Sequence, residues 1–216
     1  MKRIALLFTL MLALATGPAL AAPLRILAFG DSLTEGLGLP RDRGLVPQLQ
    51  AWLRARGHDV LVLNGGLSGD TTAGGRVRIG YSLARHKPDA VMVELGGNDL
   101  LLGFSPASAE KNLDSILDQA GAGGMPLLLV GMALPQQDEP LRTDWAAIWP
   151  RLGARHDALV FPNLYQPLYD QPGEEYMSLL QKDGMHASDK GVALIVEQLG
   201  PKVEELIAQA KARAGQ

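Results

Sequence analysis

Four short segments of this chain carry residue types that could act together on an acyl group. Gly30-Asp31-Ser32-Leu33 follows the apolar run Ile26–Phe29, which puts a hydroxyl on a strand-to-helix turn. Gly30 permits a tight backbone there, and Ser32 can project over the edge of a sheet. In Ser68-Gly69-Asp70-Thr71, Gly69 offers a main-chain N–H that a ligand oxygen can approach closely, and Gly97-Asn98-Asp99 offers the side-chain NH2 of Asn98. Asp183-Gly184-Met185-His186 spaces a carboxylate and an imidazole three residues apart, which predicts both on one side of a helical turn. The carboxylate would take the Nδ1 proton and leave Nε2 of His186 outward as a base.

Each segment by itself has a plainer reading. Ser32 or Asp31 would serve as a helix cap, the glycines around Gly69 as a flexible loop, Asn98 as a turn residue, and Asp183 with His186 as a surface pair. His58, His86 and His156 each end a helical pattern beside Arg or Lys with no matching acid, and are assigned to the solvated surface. No histidine has a second ligand at metal-site spacing, and the aspartates form no calcium loop, so no metal is expected. Gly65-Gly66 and Gly74-Gly75 do not make a dinucleotide fingerprint, so no cofactor is expected either. The chain has no cysteine, which removes disulfides, thiolate chemistry and a lipidated N-terminal cysteine.

These residues need elements to position them. Short β-rich apolar runs alternate with longer helical patterns, the signature of βα units on a parallel sheet. Strands are predicted at Arg25–Phe29, Val60–Leu63, Ala90–Glu94, Leu127–Gly131 and Ala158–Phe161, and helices near Gly44–Arg56, Thr72–His86, Ser108–Ala122, Arg142–Arg155 and Lys190–Ala210. In the last helix Val192, Ile195, Val196, Leu199, Val203, Leu206 and Ile207 recur at three- and four-residue spacing, an apolar face that should dock on the sheet. Right-handed crossovers then give an α/β fold, a three-layer α/β/α sandwich on a flavodoxin-like parallel sheet of about five strands. Ligands of such sheets bind beyond the carboxyl ends of the strands, where the first three segments fall.

Serine after strand one, glycine after strand two, asparagine after strand three and Asp-x-x-His before the last helix occur in that order, and on these four blocks the sequence resembles the SGNH/GDSL hydrolases. The likeness runs from Ile26 to the final helix. Through Gly30–Pro40 and Ser68–Gly75 it is most similar to the secreted bacterial branch with arylesterase, acyl-CoA thioesterase and lysophospholipase activities. The resemblance implies a serine esterase that hydrolyses carboxylic esters or thioesters through an acyl-enzyme. Ser32 would be the nucleophile, His186 the base held by Asp183, and the N–H groups of Ser32 and Gly69 with the Asn98 amide the oxyanion hole. Three departures stand out: Glu35 in place of a small residue, Ala187-Ser188 where Pro-Asn commonly follows the histidine, and a divergent Pro135–Leu141 segment. Leu33, Leu37, Leu102, Phe104, Leu134 and Met185 are candidates for the acyl site, about half as pocket and half as packing. The alternatives are a carbohydrate O-acetyl esterase of the periplasm using the same residues, and a non-catalytic envelope-binding protein.

Hydrophobic residues make up 47% and charged residues 20% of 216, near globular norms, so one domain from Ala22 onward is expected. Before it, Met1-Lys2-Arg3, the apolar run Ile4 to Ala15, Gly17-Pro18 and Ala19-Leu20-Ala21 read as a signal peptide ending at Ala21, interrupted before the about 20 apolar residues a membrane span needs. The expected address is the bacterial periplasm or medium, without stable membrane insertion after cleavage. The formal charge of −3 argues against nucleic acid as partner and leaves a small acyl ester or thioester. With 5% aromatic residues, an acyl groove is favoured over a stacking platform for polysaccharide.

Overall fold

The computed structural model describes residues 22–133 and 138–215. The predicted signal peptide and Leu134 lie outside the described residues. In chain order the elements are β1 (Leu24–Gly30), α1 (Ser32–Glu35), α2 (Leu45–Ala55), β2 (Val60–Gly66), α3 (Thr72–His86), β3 (Ala90–Glu94), α4 (Gly97–Leu101), α5 (Pro106–Ala120), β4 (Leu127–Val130), α6 (Leu141–His156), β5 (Leu159–Phe161), α7 (Gln166–Tyr169), α8 (Gly173–Ser178) and α9 (Asp189–Ala214).

The five strands form one parallel sheet in the order β2-β1-β3-β4-β5. The reversal of direction at β1 is the flavodoxin-like switch point, and β1 and β3 open the crevice beside it. Both strands are apolar on both faces: Ile26 to Phe29 and Ala90 to Val93 are fully buried. A strand covered on both sides must be so, because helices sit above and below it. On one side α2 packs against α9, and on the other α3, α5 and α6 pack in sequence, which completes the three layers. Among the described residues no helix is long and apolar enough to cross a membrane.

The strands start and stop within three residues of expectation, with one informative difference. β2 continues through Asn64-Gly65-Gly66, pairing with Ala28, Phe29 and Gly30, although these residue types do not favour a strand. The backbone ladder to β1 overrides their propensity. The helices α1, α4, α7 and α8, absent from the sequence reading, are one or two turns each, too short to show a helical period.

Candidate active site

Ser32 opens α1 directly after β1. Asp31 is the cap of that helix, its Oδ1 accepting the Leu33 N–H at 3.0 Å, so the capping role and the exposed serine occur together. Gly30 is required for space and not for its dihedral angles: a Cβ there would overlap Thr34 Oγ1 and Glu94 Oε2, which themselves bond at 2.8 Å. The turn therefore rests on a buried carboxyl. Ser32 is 8% exposed, and its hydroxyl lies 2.9 Å from Nε2 of His186.

His186 Nδ1 is 2.7 Å from Asp183 Oδ2, while Asp183 Oδ1 accepts the N–H groups of Met185 at 2.9 Å and His186 at 3.0 Å. The segment is not the helical turn expected from the spacing. Gly184 has φ +68°, and the side chain of Asp183 closes the turn by bonding the backbone two and three residues on. One carboxylate oxygen shapes the loop and the other orients the imidazole. Those bonds, the Met185 N–H first and the His186 side chain next, hold the Asp183 carboxyl down at about 2. The ionised carboxylate keeps the proton on Nδ1, so Nε2 accepts from Ser32 Oγ–H.

The other two segments arrive at the same point. Gly69 has φ +78°, a left-handed conformation that favours glycine, and its N–H meets no acceptor among the described residues. An added Cβ would touch nothing, so conformation and not close approach requires the glycine. Asn98, in the first turn of α4, donates through Nδ2 to Asp70 O at 2.8 Å and to Asp31 Oδ2 at 3.1 Å. Asp99 binds the two loops together, accepting from Thr72 N at 2.8 Å and Thr72 Oγ1 at 2.6 Å at the start of α3. Glu35, one of the three departures, accepts both the N–H and the hydroxyl of Ser68 and so ties α1 to the loop carrying Gly69.

A groove of about 500 Å³ runs over these residues. Of the acyl-site candidates, Leu33, Leu37 and Met185 line it; Leu102 and Phe104 do not, standing 62% and 45% exposed beside it. Leu101 takes the lining position instead, because the one-turn helix α4 rotates its neighbour outward. Sequence reasoning missed Met132 and three tyrosines of the wall, Tyr165, Tyr169 and Tyr176. The tyrosine rings follow one another with centroids 5.9 and 5.8 Å apart. A low aromatic content says nothing about where the few aromatics gather, although Tyr165 and Tyr169, four residues apart, carried a signal.

Two histidines depart from expectation. His58 Nε2 pairs with Glu204 at 2.8 Å, and His156, with its side chain 8% exposed, pairs with Asp114 at 2.7 Å. Their acids come from α9 and α5, too distant in sequence for local inspection. His86 has no such acid among the described residues; burial, then Arg85 and Arg25, lower its pKa. Among the described residues no three His, Asp or Glu side chains converge as a metal would need.

A hydroxyl on an imidazole on a carboxylate, beside a free main-chain N–H and a fixed amide, can attack a carbonyl carbon and receive the charge that develops on its oxygen. Known proteins are similar to this chain over most of its length. The chain is 34% identical over 204 residues to "Esterase TesA" of Pseudomonas aeruginosa, covering 94% of this chain and 99% of that one. It is 30% identical over 199 residues to "Thioesterase 1/protease 1/lysophospholipase L1" of Escherichia coli K12, covering 92% and 91%. The solved structure of AlinE4, described as an SGNH-hydrolase family esterase, superposes with a TM-score of 0.71 at 36% identity, covering 87% of this chain and 98% of that one. The GDSL-like lipase/acylhydrolase family matches residues 28–194, from the strand before the serine to the helix after the histidine, and the chain belongs to that family.

Proposed function

We propose that Ser32, His186 and Asp183 carry the reaction of this carboxylic ester hydrolase, and that Ser32 N–H, Gly69 N–H and Asn98 form its oxyanion hole. Ser32 Oγ bonds to the carbonyl carbon of an ester or thioester as its proton passes to His186 Nε2. His186 then hands that proton to the departing alcohol or thiol as the bond to it breaks, leaving an acyl-enzyme. Water repeats the sequence, giving its proton to His186 and its oxygen to the acyl carbon, and the acid leaves as Ser32 regains its proton. Asp183 stays ionised throughout, since its carboxyl is held near the bottom of the accessible pH range. The oxyanion takes the Asn98 hydrogen now given to Asp31, the longer of its two bonds. One donor of this kind is worth about 3 to 4 kcal/mol of barrier.

The single observation that carries the reading is the 2.9 Å approach of Ser32 Oγ to His186 Nε2 across 154 residues of chain. The apolar groove supports an acyl group as the recognised part of the substrate, with arylester, thioester or lysophospholipid as the form it takes. The N-terminal pattern of Met1–Ala21 supports export to the periplasm or medium. The test is p-nitrophenyl ester hydrolysis with fluorophosphonate labelling. Wild type should turn over and be labelled at Ser32, and Ser32→Ala should lose both. Near-normal hydrolysis by purified Ser32→Ala protein would overturn the assignment.

A further inference from the structure

Tyr165 belongs to the turn after β5, remote in sequence from both Ser32 and Asp183. Its ring lines the groove, yet its hydroxyl points away from the substrate space into the loop of His186. There it makes two bonds, donating to Met185 O at 2.9 Å and accepting from Ala187 N at 2.9 Å. These are the backbone groups immediately before and after the histidine. The Ala187 N–H would otherwise have no acceptor among the described residues. Ala187 is 4% exposed, and its N–H exists only because the chain departs here from the proline expected after the histidine. A buried N–H without an acceptor costs about 1–3 kcal/mol, so that departure needs a partner, and the tyrosine hydroxyl is the one present.

We propose that Tyr165 is a positioning residue for His186, its hydroxyl clamping the peptide groups on both sides of the base so that Nε2 stays on Ser32 Oγ. The inference rests on the reading of His186 as the base. The remaining hold on this residue's backbone comes from Asp183 Oδ1 on its N–H and from Gln181 N, which donates to His186 O at 2.7 Å. Both of those holds come from the same short loop. The Gln181 side chain links the loop to Leu37 O and Ala187 O, and Ser188 N–H fastens it to Leu179 O, but Tyr165 is the side chain that holds the peptide groups on both sides of the base from the turn after β5. Burial also raises the phenol far above its ordinary value, so the hydroxyl keeps its proton and can donate and accept at once wherever the enzyme works.

The experiment compares wild type, Tyr165→Phe, Ala187→Pro, the double variant and His186→Ala in p-nitrophenyl butyrate hydrolysis, with the His186 Nδ1–H proton followed by NMR. Phenylalanine keeps the ring that faces the groove and removes only the clamp. Tyr165→Phe should lower kcat by about 10–100-fold with KM within about twofold, as expected when a base is displaced by a fraction of an ångström. Its Nδ1–H signal should broaden through faster exchange with water, while the rest of the spectrum keeps its native dispersion. Ala187→Pro deletes the donor that Tyr165→Phe would orphan. In that background the same substitution should cost less, and the protein is relieved of the main threat to its folding. An unchanged kcat, a loss confined to KM, or a full Tyr165→Phe penalty in the Pro background would overturn the inference. Activity surviving in His186→Ala would instead overturn the reading of the base itself, and so separates the two failures.

Discussion

Asp31 occupies the position next to the nucleophile and is almost fully buried, with one oxygen on the Leu33 N–H and the other on Asn98. Burial raises its carboxyl from 3.8 to about 6; the Leu33 N–H and His186 draw it down, and Asp70 and Asp99 push it up. Glu94 beneath it is raised well above its ordinary value, again by burial first and by the Asp31 charge next, and its Oε1 has no partner among the described residues. The native state therefore binds the Asp31 proton more tightly than the unfolded chain does. Stability contributed by this group falls as pH climbs from 3.8 towards 6 and stays reduced above that. Asp31→Asn removes the titration. The melting temperature of the variant minus that of wild type should rise between about pH 4 and about pH 6.5 and then level off, measured by calorimetry. Wild type gaining on the variant across that range would reject the account.

At the scale of elements, the ends of β1 and β2 and the loop after β2 are held in register by one side chain of α3, which reaches the loop after β3 only through Asp70. Arg78 donates to Asp70 at 2.6 Å and to the carbonyls of Gly65 and Gly30 at 2.7 Å each, with its guanidinium 3.9 Å over the ring of Phe29. Asp70 in turn presents the carbonyl that orients Asn98. A planar fork can make these bonds together, and a lysine ammonium cannot reproduce them. Arg78→Leu should cost about 3 kcal/mol or more in urea unfolding, because it leaves the Asp70 charge buried and alone. Arg78→Lys should recover part of that stability while kcat for ester hydrolysis stays reduced; full recovery of both would show that charge alone suffices. The strands and long helices were legible because burial on both faces demands continuous apolar runs and docking demands a helical stripe. The convergence of Ser32, Asp183 and His186 was legible because each falls in a short motif just after or before an element. Arg78, Glu94, Tyr165 and the acids of His58 and His156 were not, since each acts on partners elsewhere in the chain and leaves no local pattern.

Across the whole molecule, the base depends on how the last helix docks. Ser188 caps α9, accepting from Gly191 N, and its own N–H donates to Leu179 O, so the loop of Asp183 and His186 is fastened to the start of that helix. The helix is seated by the predicted apolar stripe, with Val192, Ile195, Leu199, Val203 and Leu206 all buried. It packs tightly on α2 at Gly200, where an added Cβ would come within 2.6 to 2.7 Å of three ring atoms of Trp52. That ring is 8% exposed and covered by Arg56 at 3.5 Å, so moving it disturbs its packing. Gly200→Ala gains about 1 kcal/mol of helix propensity but must displace the ring or the helix, and overpacking of this kind costs about 1–3 kcal/mol. The overlap is too close for propensity to offset. Gly200→Ala should therefore lower the melting temperature by a few degrees, at about 2–4 °C per kcal/mol for a chain of this size. Since α9 carries the loop of the base, kcat should fall with it, while fluorophosphonate still labels Ser32 slowly. A variant at least as stable and as active as wild type would show that α9 docks independently of Trp52.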